Sequence, residues 1–219
     1  MKNDKVKTTI QNLRRALNYK GLYEKDAPAQ PWPLFEKWLQ AAIAKSDFEP
    51  NAMTLATASK NGMPSCRTVL LKDYSPDGFI FFTNYDSKKG RNLAENPKAS
   101  LLFYWPVLSR QVIIEGKVKK VSRQQSEEYF HSRPPASQAA ASISPQSRAV
   151  TDRDALTEKM KSLETKYKNK IIPCPVNWGG FILQPKRIEF WQGRPDRLHD
   201  RLSYSKLKNG RWRRVRLAP

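Results

Sequence analysis

AMTLATASKNGMPSCRTVLLKDYSPDGFIFFTN, residues 52–84, is the stretch that sets a β architecture for this chain. Asn61-Gly62 separates the runs Ala52–Ser59 and Pro64–Lys72, and both turn residues accept the positive φ that a two-residue hairpin needs. Ser75-Pro76-Asp77-Gly78 makes a second turn, and Phe79–Asn84 reads as a third strand. Three extended runs joined by short turns favour antiparallel pairing over a parallel sheet.

Downstream, residues 87–95 read as a short helix, with strands near Ala99–Trp105 and Arg110–Val121. Ser122 and Gln125 have capping-box spacing and open a helix that carries Tyr129 and Phe130. Thr151 opens another, with Leu156, Met160, Leu163 and Tyr167 along one face. Gly180–Leu183, Arg187–Gln192 and Arg197–Tyr204 read as further strands, and Lys208-Asn209-Gly210 as a turn before the last stretch. Upstream of residue 50 the pattern is helical. Ile10, Leu13 and Leu17 make one stripe. After breaks at Asp26-Ala27-Pro28 and Pro31-Trp32-Pro33, a second helix places Phe35, Trp38, Leu39, Ala42 and Ile43 on one face. The expected fold is mainly β with flanking helices: a helical extension over 1–50 packed on a barrel domain over 51–219.

A chain of 219 residues is long enough to bury a real core, roughly 70% of its unfolded surface. No run of about 18 apolar residues occurs, so no membrane span is expected. The opening MKNDKVKTTI lacks the apolar centre of a secretory signal. Cys66 and Cys174 form no paired motif, which suits a cytoplasmic protein without disulfides. Forty basic residues against twenty acidic ones give a formal charge of +20. Such a field attracts phosphorylated small molecules and promotes non-specific nucleic-acid contact. Lysines spread over solvated faces explain it equally well, so charge alone assigns no function.

Several chemistries lose their usual support. His131 and His199 have no metal-ligand spacing, so no metal site is expected. A G-x-S-x-G elbow, a GxxxxGK[ST] loop and a GxGxxG turn are all missing. What remains is a set of basic and hydroxylic residues at element ends. Ser87-Lys88-Lys89 stands where a strand gives way to a helix, a place that suits a phosphate; spacing alone favours an ordinary capped helix. Arg67 and Lys72 flank an apolar run but face opposite sides of a regular strand. Arg133, followed by Pro134-Pro135-Ala136-Ser137, joins a planar donor fork to a stiffened backbone. After Trp191-Gln192-Gly193, a strand from Arg197 would set Arg197, His199 and Arg201 on one face. That row is costly in a core and useful beside an anionic ligand.

Together these segments resemble the pyridoxine/pyridoxamine 5'-phosphate oxidase family. The matching stretches are Arg67-Thr-Val-Leu-Leu-Lys72, Phe82-Thr83-Asn84, Ser87-Lys-Lys89, Arg110-Gln111-Val112, Tyr129-Phe-His-Ser-Arg133, Gln146-Ser147, Trp178-Gly179-Gly180, Glu189-Phe-Trp-Gln-Gly193, Arg197-Leu-His-Asp-Arg201 and Arg216-Leu-Ala-Pro219. They run in family order from about residue 34 to the last. The resemblance implies an FMN-binding split β-barrel, a homodimer with FMN at its interface. It also implies oxidation of pyridoxine or pyridoxamine 5'-phosphate to pyridoxal 5'-phosphate by O2, with release of H2O2. Carried over by position, it places FMN against Arg67, Thr68, Val69, Leu70, Leu71, Lys72, Phe82, Thr83, Lys88, Lys89, Gln111, Gln146, Ser147, Trp191 and Arg201. It places the substrate phosphate near Lys72, Tyr129, Arg133 and Ser137. Arg197, Leu198 and His199 would meet the pyridine ring, with Arg197 and His199 as the catalytic pair, and Arg14 would close over the substrate.

Two positions depart from the family pattern. Arg14-Arg15-Ala16-Leu17 lacks the tyrosine of the family's Arg-Arg-x-Tyr stretch, and Tyr19 is rotated about 200° from that position on a helix. Lys88 stands where arginine is common and lacks the bidentate fork. The rivals are another flavin-using split barrel, such as a flavin reductase, and a basic nucleic-acid-binding barrel. For the latter, residues 186–219 hold eleven Lys or Arg against three Asp or Glu, with Trp and Tyr interspersed.

Overall fold

The computed structural model of the protein describes residues 21–45, 49–168 and 170–219. Among them nine strands form one antiparallel sheet: β1 (Ala52–Ala58), β2 (Pro64–Leu70), β3 (Asp73–Ser75), β4 (Gly78–Asn84), β5 (Lys98–Trp105), β6 (Arg110–Lys120), β7 (Trp178–Gln192), β8 (Asp200–Lys206) and β9 (Trp212–Leu217). The order is β2-β1-β5-β6-β7-β4-β3, with β8 on β7 and β9 on β8. Five α-helices flank it: α1 (Pro31–Lys45), α2 (Lys88–Glu95), α3 (Arg123–Ser132), α4 (Pro135–Ile143) and α5 (Arg153–Lys166). The mainly-β class read from the turns holds. Gly62 at φ 87° and Gly210 at φ 82° occupy the β1–β2 and β8–β9 turns, where a side chain would be strained. No described helix is long and apolar enough to cross a membrane.

The longest strand organises the rest. β7 pairs with β6 along one edge from Phe181 to Gln192. On its other edge Trp178–Leu183 pairs with β4, and Arg187–Gln192 pairs with β8. One strand therefore stands where Gly180–Leu183 and Arg187–Gln192 were expected to be two. Pro185 lies between them, and a proline is tolerated beside a bulge because no ladder bond is lost there. The β6–β7 register shifts at this point, between Glu115 and Gly116, leaving Lys186 without a partner.

Most inward side chains of the strands and one face of α1 make the main core, including Leu55, Leu101, Phe103, Ile114, Leu183, Phe190, Phe35, Trp38 and Ala42, and a second cluster gathers Phe130, Ala139, Ile172, Cys174 and Trp178. Phe35 meets Tyr74, Phe79 and Phe103 edge-on, and Trp38 meets Phe190 in the same way. Leu39 is buried as expected, but Ile43, expected on the same face, is 59% exposed, and Leu34 is buried in addition. Pro31-Trp32-Pro33 begins α1 rather than breaking it, since the first helical turn needs no amide donor. The stripe of Ile10, Leu13 and Leu17 lies outside the described residues.

Caps decide the other helix starts. Ser87 Oγ accepts from the Gly90 N–H, and Ser122 Oγ from the Gln125 N–H, as their spacing predicts. For α5 the cap is Asp152, one residue after Thr151, with its carboxylate accepting from the Ala155 N–H; Tyr167 falls just past the helix end. The sequence reading did not anticipate α4. Pro134-Pro135 reads as a rigid turn, yet Pro135 is the first residue of the helix.

Candidate active site

A cavity of about 500 Å³ opens where β2 ends, bounded by β4, α2, the end of α3 and α4. Thr68, Val69, Leu70 and Lys72 line one side, and Phe82, Thr83, Lys89, Tyr129, Arg133, Gln146 and Trp178 are among the residues lining the rest. Lys72 reaches it because β2 stops at Leu70. Leu71 then turns into the core, with its N–H on the Asn51 carbonyl, and the Lys72 N–H bonds the Ile80 carbonyl. Period-two alternation no longer governs Lys72 beyond the strand end.

One end of the cavity is a cationic cradle. Lys89, only 8% exposed, donates from Nζ to Thr83 Oγ1 at 3.1 Å, Gln146 Oε1 at 3.2 Å and Ser87 Oγ at 3.4 Å. Beside it, Arg67 donates to the Leu55 carbonyl (3.0 Å), Thr57 Oγ1 (2.8 Å) and Ser65 Oγ (2.6 Å). Asn92, one helical turn after Lys89, also bonds Thr57 and Ser65. Burial, and then the charge of Arg67, draw the Lys89 ammonium down to about 8. Burial likewise lowers Arg67. No Asp or Glu among the described residues pairs with Arg67, Lys72, Lys89 or Arg133. Arg67, Lys89 and Arg133 are partly or fully desolvated without an acid beside them, and with the exposed Lys72 they make a seat for a ligand that brings negative charge.

A second cation seat adjoins an aromatic wall. Phe82 and Tyr129 stack at 3.9 Å, and Trp178 lies near-parallel to both, 5.6 Å from Phe82 and 6.2 Å from Tyr129. Lys72 Nζ lies 5.9 Å from the Tyr129 ring centre. The Arg133 guanidinium lies 4.9 Å from the Trp178 ring centre, and its Nη1 is buried with no hydrogen-bond partner. An orphaned buried donor facing no acid fits an anionic ligand group. Ser137 sits in the first turn of α4, one turn before Ala140 and Ala141, which line the cavity.

The other selected residues lie elsewhere. Gln111 pairs with Trp191 across β6–β7, eleven residues along β7 from Gly180, the partner of Phe82. At ~3.3 Å per residue that is roughly 35 Å of strand, beyond the reach of one small molecule. The expected strand from Arg197 is corrected. Pro195–Arg197 forms a 3-10 turn, Arg197 has a left-handed φ of 61°, and β8 starts only at Asp200. Arg197, His199 and Arg201 therefore share no strand face, because Pro195 favours a turn, closed by the Leu198 N–H on its carbonyl. His199 packs on Trp191 at 4.6 Å, and its Nδ1 accepts from the Arg194 N–H. Leu198 is exposed. Arg201 is held by buried Glu189, 2.7 Å away, and donates to the Ala218 carbonyl. Lys88 and Ser147 are exposed and outside the cavity lining, and Ser147 has φ 68°. Arg14 and Tyr19 lie outside the described residues.

The sequence reading missed Thr57, Ser65, Asn92 and any role for Trp178. Asn92 follows Lys89 at i+3, which puts both on one helix face. Thr57 faces Ser65 across the hairpin, and Leu55 faces Arg67, a register that Asn61-Gly62 makes readable.

Comparison with known proteins points one way. A family model described as pyridoxamine 5'-phosphate oxidase matches residues 37–167, and one for the pyridoxine 5'-phosphate oxidase C-terminal dimerisation region matches residues 178–219. A pyridoxine/pyridoxamine 5'-phosphate oxidase of Nostoc punctiforme is 50% identical over 96% of this chain and 99% of its own length. One from Christiangramia forsetii is also 50% identical, over 96% and 98%. The crystal structure of PhzG from Burkholderia lata, in complex with tetrahydrophenazine-1-carboxylic acid, superposes with a TM-score of 0.85 at 33% identity, covering 90% of this chain and 98% of that one. An FMN-binding protein of Nostoc punctiforme, related to pyridoxamine 5'-phosphate oxidase, superposes at 0.69 with 17% identity, covering 88% of this chain and all of that one; it shows the shared fold.

Proposed function

We propose that this chain, which belongs to the pyridoxamine 5'-phosphate oxidase family, oxidises pyridoxine and pyridoxamine 5'-phosphates to pyridoxal 5'-phosphate with FMN and O2, releasing H2O2. The observation that carries this reading is one cavity lined by Lys72, Lys89 and Arg133, with Arg67 beside Lys89 and no acid among the described residues paired with any of them. Arg67, Lys89, Thr83 and Gln146 suit the phosphate of FMN. Lys72, Tyr129, Arg133 and Ser137 suit that of the substrate. Bound FMN would supply a two-electron acceptor that O2 regenerates, with H2O2 as the by-product.

The protein's part is position and charge. Gripping the substrate phosphate spends binding energy far from the reacting carbon to fix the ring in place. On this reading Gln111, Trp191, Arg197, His199 and Arg201 serve the cavity of a partner copy, and each site of a homodimer draws on both chains; their separation from Phe82 along β7 supports it. The match of residues 178–219 to a dimerisation region supports this arrangement. His199, with Nδ1 already accepting, carries the proton of its neutral ring on Nε2 and can donate it to a polar group on the substrate ring. The exposed Arg197 would hold the ring from the same side. The ligand named for the PhzG complex carries a carboxylate and no phosphate. A second pair of cations lining the cavity, Lys72 and Arg133, favours a phosphate ester here.

The test is spectroscopic. Protein loaded with FMN should show the flavin band at roughly 450 nm, and anaerobic pyridoxamine 5'-phosphate should bleach it. Readmitted O2 should restore the band and give H2O2 matching the pyridoxal 5'-phosphate formed. A flavin bleached by NADPH and by neither vitamer phosphate would make the chain a reductase. Salt-sensitive RNA binding without any flavin uptake would favour the nucleic-acid barrel.

A further inference from the structure

Trp178 begins β7 and opens the Trp178-Gly179-Gly180 stretch, to which the reading above gives no task. Its surroundings suggest one. The Arg133 guanidinium is held by ring faces alone, 4.9 Å from Trp178 and 5.9 Å from Phe130. Among the described residues no hydrogen bond or ion pair engages that guanidinium, and its Nη1 is buried and unpartnered. A carboxylate would hold Arg133 just as firmly, but it would cancel the charge and occupy the donors. A π face attracts the cation and leaves the in-plane N–H groups free. Trp178 also stands near-parallel to Phe82 and Tyr129, so one slab orients two members of the second cation seat.

The slab is itself anchored. The Arg123 guanidinium donates to the carbonyls of Cys174 (2.5 Å), Pro175 (2.9 Å) and Trp178 (3.2 Å). The Trp178 N–H bonds the Pro175 carbonyl, and Trp178 pairs with Asn84 on β4. The indole is 6% exposed.

We propose that Trp178 is a positioning residue for phosphate-ester recognition: its indole face holds the Arg133 guanidinium, with every donor free, against the cavity. That the ester is a vitamin B6 phosphate rests on the function proposed above. Trp178→Leu, which removes the π face, should raise KM for pyridoxamine 5'-phosphate roughly 3- to 30-fold. It should leave kcat within about twofold and FMN affinity unchanged. Trp178→Phe should restore most of the loss. In a double-mutant cycle, adding Trp178→Leu to Arg133→Ala should cost nothing further, because the two act through one contact. Equal KM for the leucine and phenylalanine variants, additivity in the cycle, or a parallel fall in FMN affinity would each overturn the proposal. Should Trp178→Leu not fold, Trp178→Met replaces it in the same comparison. Wild-type protein that oxidises neither vitamer phosphate would defeat the oxidase reading alone. The same variants would then be titrated with inorganic phosphate by calorimetry, where an unchanged Kd in the leucine variant defeats the role of Trp178.

Discussion

Arg133→Ala is expected to raise KM for pyridoxamine 5'-phosphate roughly 10- to 150-fold, the equivalent of about 1.5–3 kcal/mol for charge-assisted hydrogen bonds. A smaller fall in kcat should accompany it, because the phosphate grip also holds the ring in its reactive pose. Arg133→Lys should fall between, keeping a charge but losing the planar fork. Stability should move the other way. Arg133 buries its charge without an acid partner, and burial lowers its pKa, so alanine relieves a cost of the ligand-free fold. Steady-state kinetics and urea midpoints on the same preparations check both halves. An unchanged KM would remove Arg133 from the substrate seat.

Lys89→Met should weaken FMN binding more, by about 30-fold or beyond, since truncating one side of a desolvated charge pair costs about 2–5 kcal/mol. The pH dependence carries a sign that identifies the residue. Without ligand, Lys89 titrates near 8, because burial and the Arg67 charge disfavour its ammonium form. FMN affinity should therefore fall as pH rises through about 8, and that fall should vanish in Lys89→Met. Ligand-free stability runs the opposite way. Below about 8 the ammonium is protonated in the folded and unfolded states alike. Between about 8 and the ordinary lysine range the unfolded chain binds more protons, so this group makes stability rise with pH. Fluorescence titration of FMN and urea midpoints, each at about pH 7 and about pH 9.5, test the two directions. A pH-independent FMN affinity in the wild type would place the phosphate elsewhere.

Features set by one residue's backbone demands were legible in the sequence. Asn61-Gly62 and Lys208-Asn209-Gly210 mark hairpins because the turn needs positive φ, and Ser87 and Ser122 mark helix starts because their hydroxyls satisfy free amides. Features set by partners elsewhere were not. Gly180–Leu183 and Arg187–Gln192 read as two strands, and only the opposing Glu115–Gly116 step joins them through a bulge into one. Thr151 and Asp152 are both competent caps, and local sequence does not choose between them. The cavity cations were visible as basic and hydroxylic residues at element ends. The indole that holds Arg133 was not, because a tryptophan at a strand start looks like any core residue. Arg197 and His199 were placed on one face by a period that Pro195 interrupts.

Roughly 35 Å of β7 runs between the partner of Phe82 and Trp191, on which His199 packs. If two copies complete each other's pockets, lesions on the two sides are not equivalent in a mixed population. A dimer joining one Arg133→Ala chain to one Arg197→Ala chain carries both defects in one pocket and neither in the other. Two impaired proteins, unfolded and reassembled together and assayed at low substrate, would then regain part of the wild-type rate. Two genes damaged on opposite sides would likewise rescue one another, whereas two damaged on the same side would not.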